Sequence, residues 1–278
     1  MEEFLRSREQ YCVTACAKFL QTHSLRREDQ AWRIEDPEGT IRGILLRSGG
    51  MLFPVFGNVQ AIPPPRLMTG PLGCNGLLGR NFLNRPPLYA IQGLLDDAVI
   101  LDAALESLGY HAAEHRDYDL MALEKPPPGE RPGAFPRELV LRKPGFTDLE
   151  TMLPLQAGYE KEEVLPNDAV FNPASCRLNL STILAREQSL IACLGDRIVG
   201  KINTNAASFT RIQIGGVYVL PEYRGLGIGR RMTAAFVGEL MKQGRELTLF
   251  VKKNNPAARS IYAGAGFSVI ADYRISYY

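Results

Sequence analysis

The sequence has only five cysteines and three histidines, and almost equal numbers of positive and negative charges. Its 278 residues include 32 Lys and Arg against 30 Asp and Glu, so electrostatics give no reason to expect DNA, RNA or an anionic membrane as a partner. The five cysteines are an odd number without metal-ligand spacing, and the three histidines supply no second pair for Cys12 and Cys16. We therefore expect no metal site, and thiols that are reduced and mostly buried.

Features of export and membrane insertion are also missing. No apolar run approaches the ~20 residues that a membrane-spanning helix needs. The chain starts Met-Glu-Glu, without the basic and apolar segments of a secretory signal. We expect a soluble, cytoplasmic protein whose length suits two domains of about 140 residues each.

Proline is concentrated between residues 126 and 136, in Pro-Pro-Pro-Gly-Glu-Arg-Pro-Gly-Ala-Phe-Pro. Stacked prolines favour a stiff, extended connection, and the glycines interrupt regular structure. This predicts an N-terminal domain at 1–125, a linker at 126–137 and a C-terminal domain at 138–278.

The most informative stretch is residues 217–229. A β-branched run at Val217 and Val219 predicts a strand, and the turn Arg224-Gly225-Leu226-Gly227-Ile228-Gly229 then leads into a helical pattern. Such a turn lets the backbone approach a ligand, and the free N–H groups and dipole at a helix start favour an anion. The stretch predicts a phosphate or pyrophosphate site, although a purely structural turn also fits three glycines. The spacing matches neither the Rossmann fingerprint nor the P-loop.

This turn resembles the Gln/Arg-x-x-Gly-x-Gly/Ala pattern of the GNAT acyltransferase superfamily. A second segment, which begins at Asn255 and includes Ala258, Tyr262 and Gly266-Phe267, is similar to the superfamily's Asn-x-x-Ala-x-x-x-Tyr-x-x-x-Gly-Phe pattern. The order and spacing of both motifs fit, over about residues 138–278. The resemblance implies an α/β (α+β) fold with a mixed, mostly antiparallel, twisted sheet flanked by helices.

Patterns in the second half agree with the element order of a GNAT domain, a strand meander followed by a βαβα tail. We expect a helix that is capped by Thr147 and runs towards Glu163, and a final pair of strands within 267–277. The other predicted elements are strands at 138–142, 189–194, 197–204, 211–219 and 247–251 and helices at 172–188, 227–243 and 255–264.

The first half repeats part of this order, which predicts tandem GNAT-like units. Setting Gly109-Tyr110 over Gly266-Phe267 aligns strand, helix and strand, but Leu105 then stands at the position of Tyr262 and Ala98 at that of Asn255. A Pro/Gly-rich stretch at 57–87 replaces the glycine turn. We expect a degenerate unit without a cofactor site, either structural or a wall of the substrate site. Its predicted elements are an amphipathic helix at 2–21, strands at 31–35, 40–47, 51–56, 88–92 and 118–123, and a helix at 96–108.

The resemblance implies that acetyl-CoA lies along the strand that ends at Val219. Val217 and Val219 would bond the pantetheine arm, with Tyr218 between them, and the amides of Gly225 to Gly229 would hold the pyrophosphate. Arg230 is either a phosphate contact or a solvated helix residue, and Asn255 is a cofactor contact, a helix N-cap, or both. The full implied set is Val217, Tyr218, Val219, Arg224, Gly225, Leu226, Gly227, Ile228, Gly229, Arg230 and Asn255.

Tyr262 corresponds to the family tyrosine that protonates the departing CoA thiolate, a task suited to a phenol that stays protonated at neutral pH. The general base is open. Gln213 stands where some family members have a glutamate, and an amide cannot take the proton. Glu162, Glu163, or a water chain held by Gln213, Asn203 and Asn205 are the alternatives.

The expected function is acetyl transfer from acetyl-CoA to a primary amine, on a small molecule or a peptide. A non-catalytic acyl-CoA-binding regulator is the alternative from another class, and a scaffold with a purely structural turn is a third. The identity of the acceptor does not follow from the sequence, because a fold does not fix a substrate.

Overall fold

The computed structural model describes residues 1–22, 30–57, 87–125 and 135–278. Residues 58–86, which make up most of the expected irregular stretch, and 126–134, most of the expected linker, lie outside the described residues. His23 and Cys74 lie there too. The other four cysteines are free and buried, which confirms that part of the thiol prediction.

The described chain contains helices α1 (Glu2–Arg6), α2 (Val13–Thr22), α3 (Leu95–Glu106), α4 (Leu149–Tyr159), α5 (Pro173–Arg186), α6 (Ile228–Met241) and α7 (Pro256–Gly264). Its strands are β1 (Gln30–Glu35), β2 (Ile41–Ser48), β3 (Met51–Phe56), β4 (Ala90–Leu94), β5 (Glu114–Leu123), β6 (Leu139–Arg142), β7 (Ser189–Leu194), β8 (Arg197–Ala207), β9 (Arg211–Val219), β10 (Glu246–Lys252) and β11 (Ser268–Tyr277). Among the described residues, no helix has the length and apolar character that crossing a membrane requires.

The chain forms two compact units. One consists of Met1–Leu120 together with Ala271–Tyr278, and the other of Met121–Ile270. The expected domain boundary at 126–137 rests on proline content and stays a prediction. The last residues of the chain, Ala271–Tyr278, belong to the first unit, and the sequence does not indicate this.

In the first unit the strand order is β1-β2-β3-β4-β11-β5, and β11 pairs with β4 in antiparallel register from Tyr273 to Tyr277. Helix α3 buries its apolar side against this sheet, where Leu101 and Leu105 contact Leu45, Leu52 and Ile91. The expected order of strand, helix and strand is therefore present here.

The N-terminal helix is shorter than expected. The prediction of one helix over 2–21 is wrong, because α1 ends at Arg6 and a 3-10 turn at Glu9–Tyr11 precedes α2. The break lets Leu5 and Cys16 both be fully buried, with the Cys16 Sγ 3.8 Å from the Leu5 carbonyl oxygen. Tertiary packing outweighs local helix propensity here.

In the second unit the strands follow the order β10-β9-β8-β7-β6. Successive residues of β7 point to opposite faces, as expected for a strand buried on both sides. Ile191 and Cys193 pack with α4 and α5, whereas Leu190 and Ala192 pack with α6. Both units thus have a mixed, mostly antiparallel sheet flanked by helices, which confirms the fold class.

Two local predictions in the second unit are wrong. Thr147 does not cap α4, because it lies inside a 3-10 turn in which the Asp148 carboxylate accepts the Gly145 N–H at 2.8 Å. The last strands are not a pair but the single strand β11. No Gly, Pro or Asn occurs between 268 and 277 to make the turn that a pair would need.

Candidate active site

The candidate site of the second unit begins where β9 and β10 separate. Their parallel register runs from Arg211/Glu246 to Gln213/Thr248, yet β9 continues to Val219 and β10 to Lys252. Beyond Gln213 the facing backbone edges of both strands are therefore open. An extended chain carrying amide groups can pair with such edges.

Beside this opening, β9 carries a bulge. Its register with β8 pairs Tyr218 with Lys201 and Gly215 with Asn203, and it skips Gly216 and Val217. Gly216 has a φ of 61°, and a Cβ there would lie 1.9 Å from Asn203 Oδ1. The bulge therefore requires glycine for both its backbone conformation and its packing.

The glycine turn follows β9 directly. Gly225 and Gly227 have φ values of 81° and 74°, and Gly227 is the N-cap of α6. A Cβ on Gly225 would meet no atom within 4 Å. The turn thus presents left-handed backbone and the N–H groups of a 14-residue helix, an arrangement that suits an anion. Leu226 and Arg230 are exposed, Gly229 is partly exposed and Ile228 is buried.

Arg224, Glu162 and Tyr218 form one cluster. The Glu162 carboxylate pairs with Arg224 at 2.8 Å and accepts the Tyr218 hydroxyl at 2.6 Å. Partial burial opposes ionisation of Glu162, but these two donors outweigh it and lower its pKa. Burial and the same hydrogen bond raise the pKa of Tyr218 to about 12. A carboxylate held in this way is a poor proton acceptor.

Glu162 and Glu163 lie on a π-helical turn, Glu160–Val164, that continues α4. Glu163 pairs with Lys252 of β10 at 3.1 Å and lies 3.5 Å from the Asn255 Nδ2. Asn255 also caps α7, since its Oδ1 accepts the Ala258 N–H at 3.0 Å. The capping role of Asn255 is therefore present, and its amide nitrogen faces the π turn.

Tyr262 projects from α7 into the core of the second unit, where it is 8% exposed. Its ring meets Phe267 edge-on at 6.3 Å. Burial first, and then the proximity of Tyr159 and Glu163, raises its pKa. The phenol therefore keeps its proton at neutral pH, as a general acid must before it acts.

Lys201 is a site residue that sequence reasoning missed. This β8 side chain is 1% exposed, and its Nζ donates to the Gly216 carbonyl at 3.0 Å and to Asn203 Oδ1 at 3.1 Å. The Nζ also lies 4.8 Å from the centre of the Tyr159 ring. The sequence does contain a signal that could have identified it, because Lys201 is a charged residue within the apolar run Ile198-Val199-Gly200-Lys201-Ile202.

Burial lowers the pKa of Lys201 to about 7, although Glu160 and Cys176 act in the opposite direction. Glu160 is itself buried, and its Oε1 accepts hydrogen bonds from Gln156 at 2.9 Å and Asn179 at 3.1 Å. A polar network thus extends from α4 and α5 to the bulge of β9.

The three residues of the expected water chain lie on neighbouring strands. Asn203 Nδ2 donates directly to Asn205 Oδ1 at 3.1 Å. Gln213 is buried at the level where the pairing of β9 and β10 ends, opposite Ala206 of β8. The structure therefore brings Asn203 and Asn205 together and gives Asn203 a lysine partner.

Comparisons with known proteins agree with this geometry. Residues 155–267 match the Acetyltransferase (GNAT) family, whereas no curated protein sequence matches the chain. A GCN5-related N-acetyltransferase from Sphaerobacter thermophilus is similar in structure, with a TM-score of 0.59 at 19% identity over 96% of this chain and 90% of that one.

Two further solved structures resemble the whole chain. A Drosophila protein has a TM-score of 0.65 at 15% identity, covering 100% of this chain and 94% of that one. A GCN5-related N-acetyltransferase from Kribbella flavida has a TM-score of 0.56 at 14% identity, covering 96% and 95%. Residues 155–267 thus match the GNAT acetyltransferase family, and the chain as a whole, its first half included, has a fold similar to that of GCN5-related N-acetyltransferases.

Proposed function

We propose that this protein transfers an acetyl group from acetyl-CoA to a primary amine. The observation that carries the proposal is the open pair of strand edges beyond Gln213 and Thr248, which ends at the glycine turn before α6. An acyl-CoA has an extended arm with two amides and a pyrophosphate at its far end. These two parts of the molecule match the strand edges and the helix N-terminus in order.

The end of β9 and the glycine turn then have separate tasks in cofactor binding. Val217 and Val219 offer backbone groups to the pantetheine arm, and the amides from Gly225 to Gly229 receive the pyrophosphate. Arg224 is the first residue of the glycine turn, and in the structure it pairs with Glu162. The pair is half exposed, so separating it costs less than about 1 kcal/mol.

In the transfer step the amine nitrogen attacks the thioester carbon. A C–N bond forms, the carbonyl oxygen gains negative charge, and the Val217 N–H at the bulge stabilises that charge. The C–S bond then breaks, Tyr262 gives its proton to the CoA sulfur, and the amine loses a proton to water. The phenolate of Tyr262 then takes a proton from solvent. The proton that the amine gave to water thus balances the proton that left with the CoA thiol.

The two carboxylates expected as candidate bases, Glu162 and Glu163, are each paired with a cation. Glu162 is held by Arg224 and Tyr218 and its pKa is lowered. Asn205, whose Oδ1 accepts the Asn203 Nδ2, is exposed and can hydrogen-bond a water near the bulge. We therefore favour proton release through water over direct transfer to Glu162.

A thiol-release assay with acetyl-CoA and a panel of primary amines tests the proposal. We expect thiol release that depends on the amine and saturates with acetyl-CoA. Binding of acetyl-CoA in calorimetry without release for any amine would instead favour the acyl-CoA-binding regulator. Absence of binding would contradict both readings.

A further inference from the structure

The buried amine of Lys201 has no role in the proposed reaction so far. Lys201 and the neighbouring Gln156, Glu160 and Asn203 are buried, and the Lys201 Nζ donates to one backbone oxygen, that of Gly216. This carbonyl belongs to the peptide group whose other end is the Val217 N–H. Lys201 therefore acts on the same peptide that the proposed function uses.

We propose that Lys201 is a positioning residue that fixes and polarises the Gly216–Val217 peptide, so that the Val217 N–H is held as a hydrogen-bond donor for the acyl carbonyl. This inference rests on the proposed function. Lys201 itself is not expected to touch the substrate, since its Nζ lies within a buried set of protein groups.

The direction of the peptide follows from its planarity. In a trans peptide the C=O and N–H point in opposite directions. The Gly216 carbonyl points at the Lys201 Nζ, 3.0 Å away, so the Val217 N–H points away from that amine. The pairing of β9 with β10 has already ended at Gln213, which leaves this stretch of β9 open to a ligand.

The hydrogen bond also strengthens the donor. A bond to the carbonyl oxygen of a peptide polarises the whole group, and a cationic donor does so more than a neutral one. An apolar side chain at 201 would fill the same space without the penalty of burying an amine. The amine instead supplies the bulge carbonyl with a donor that is fixed by Asn203 and by the Tyr159 ring.

Glu160 explains how this amine is tolerated. The buried carboxylate favours the charged form of Lys201 and is itself held by Gln156 and Asn179. Removing Lys201 alone would leave a buried carboxylate without its nearby cation, which destabilises a fold. The test variant therefore changes both residues.

The test compares bound acetyl-CoA in three proteins by isotope-edited infrared spectroscopy, with ¹³C at the acetyl carbonyl. The proteins are the wild type, Lys201→Met/Glu160→Gln, and Glu160→Gln, which keeps the donor. We expect the carbonyl band of the double variant at higher wavenumber than in the wild type, because the Val217 N–H is a weaker donor. The Glu160→Gln band should lie between those of the wild type and the double variant, because this protein keeps the Lys201 donor but loses the carboxylate that favours its charged form. An exposed control, Lys242→Met, should match the wild type.

Turnover supplies the second readout. The double variant should lose about 10- to 100-fold in kcat, less than complete removal of an oxyanion donor, with little change in KM for acetyl-CoA. Circular dichroism and a melting curve establish that the variant is folded. If it is not folded, Lys201→Gln/Glu160→Gln, whose polar end at position 201 is one bond shorter than that of lysine, should give the same shift.

An unshifted band in a folded variant that still binds acetyl-CoA would overturn the role of Lys201 and leave the proposed function intact. A wild type that binds no acetyl-CoA would overturn both. Because the band is read from bound acetyl-CoA, the result does not depend on finding the natural acceptor.

Discussion

Arg224, at the start of the glycine turn, forms a 2.8 Å ion pair with Glu162 on the π turn after α4. The same carboxylate accepts the hydroxyl of Tyr218. Two segments far apart in sequence thus meet at the proposed phosphate end of the cofactor path. This geometry decides what Glu162 can contribute.

We predict that Glu162→Gln keeps kcat within about tenfold of the wild type, because a general base contributes ~10²–10⁴ and this carboxylate is a poor one. Affinity for CoA should rise by up to about fivefold at low salt, since a negative charge is removed near the phosphates. The matched control is Glu150→Gln, which removes another exposed ion pair, with Arg177. A loss in kcat of a hundredfold or more at unchanged affinity would make Glu162 the base.

Gly227→Val tests the phosphate-binding role of the turn. A β-branched residue at a φ of 74° is strained, and its Cβ would crowd a bound pyrophosphate. The strain-matched control is Gly244→Val, at a φ of 70° beyond the other end of α6 with open space around it. We expect calorimetry to detect loss of CoA binding only in Gly227→Val, and similar falls in melting temperature. Equal CoA affinity in both variants would make the turn merely structural.

Asn255→Ala separates the capping role of Asn255 from cofactor binding. Asn172 caps α5 in the same way, with its Oδ1 accepting the Ser175 N–H at 3.0 Å. Each substitution to Ala should lower the free energy of unfolding by about 1 kcal/mol. Only Asn255→Ala should also weaken acetyl-CoA binding, as measured by calorimetry. If the two variants bind acetyl-CoA alike, Asn255 is a cap and nothing more.

The ionisation of Asp97 in α3 should make the stability of the first unit depend on pH. Burial raises its pKa to about 7, although its hydrogen bond from the Phe56 N–H at 3.1 Å opposes the shift. The folded state therefore holds the proton of the Asp97 carboxyl group more tightly than the unfolded state does. The stability that this protonated carboxyl group contributes is lost as pH rises from about 4 to 7. Asp97→Asn keeps an acceptor for Phe56 but cannot ionise.

Urea unfolding at pH 5, 6, 7 and 8 measures this effect. The free energy of unfolding of Asp97→Asn, relative to the wild type, should increase with pH by up to a few kcal/mol and level off above pH 7. Asp96→Asn, at the exposed neighbouring position, is the control for a substitution of the same kind. A constant difference for Asp97→Asn would mean that Asp97 ionises in the fold without penalty.

The sequence predicts the elements of the site well because their causes are local. β9 has the expected bounds of 211–219, and the glycine turn leads into α6 as its motif indicates. Asn-Pro pairs also start α5 and α7, because the side chain and the fixed φ of proline act within one turn.

Features that depend on distant partners could not be read from the sequence. The break between α1 and α2 follows from the joint burial of Leu5 and Cys16. The pairing of β11 with β4 joins residues about 180 positions apart, which no local pattern encodes. The lysine in an apolar strand was visible, but its acceptor at Gly216 depends on the bulge.

The most direct test of the account is turnover in Tyr262→Phe. The change keeps the ring and its edge contact with Phe267 but removes the proton donor, and Tyr110→Phe in the first unit is the control for loss of a phenol. We predict unchanged acetyl-CoA binding and melting temperature with a fall in kcat of about 10²–10⁴. Wild-type kcat in Tyr262→Phe would contradict the account, because the thiolate would then take its proton from elsewhere.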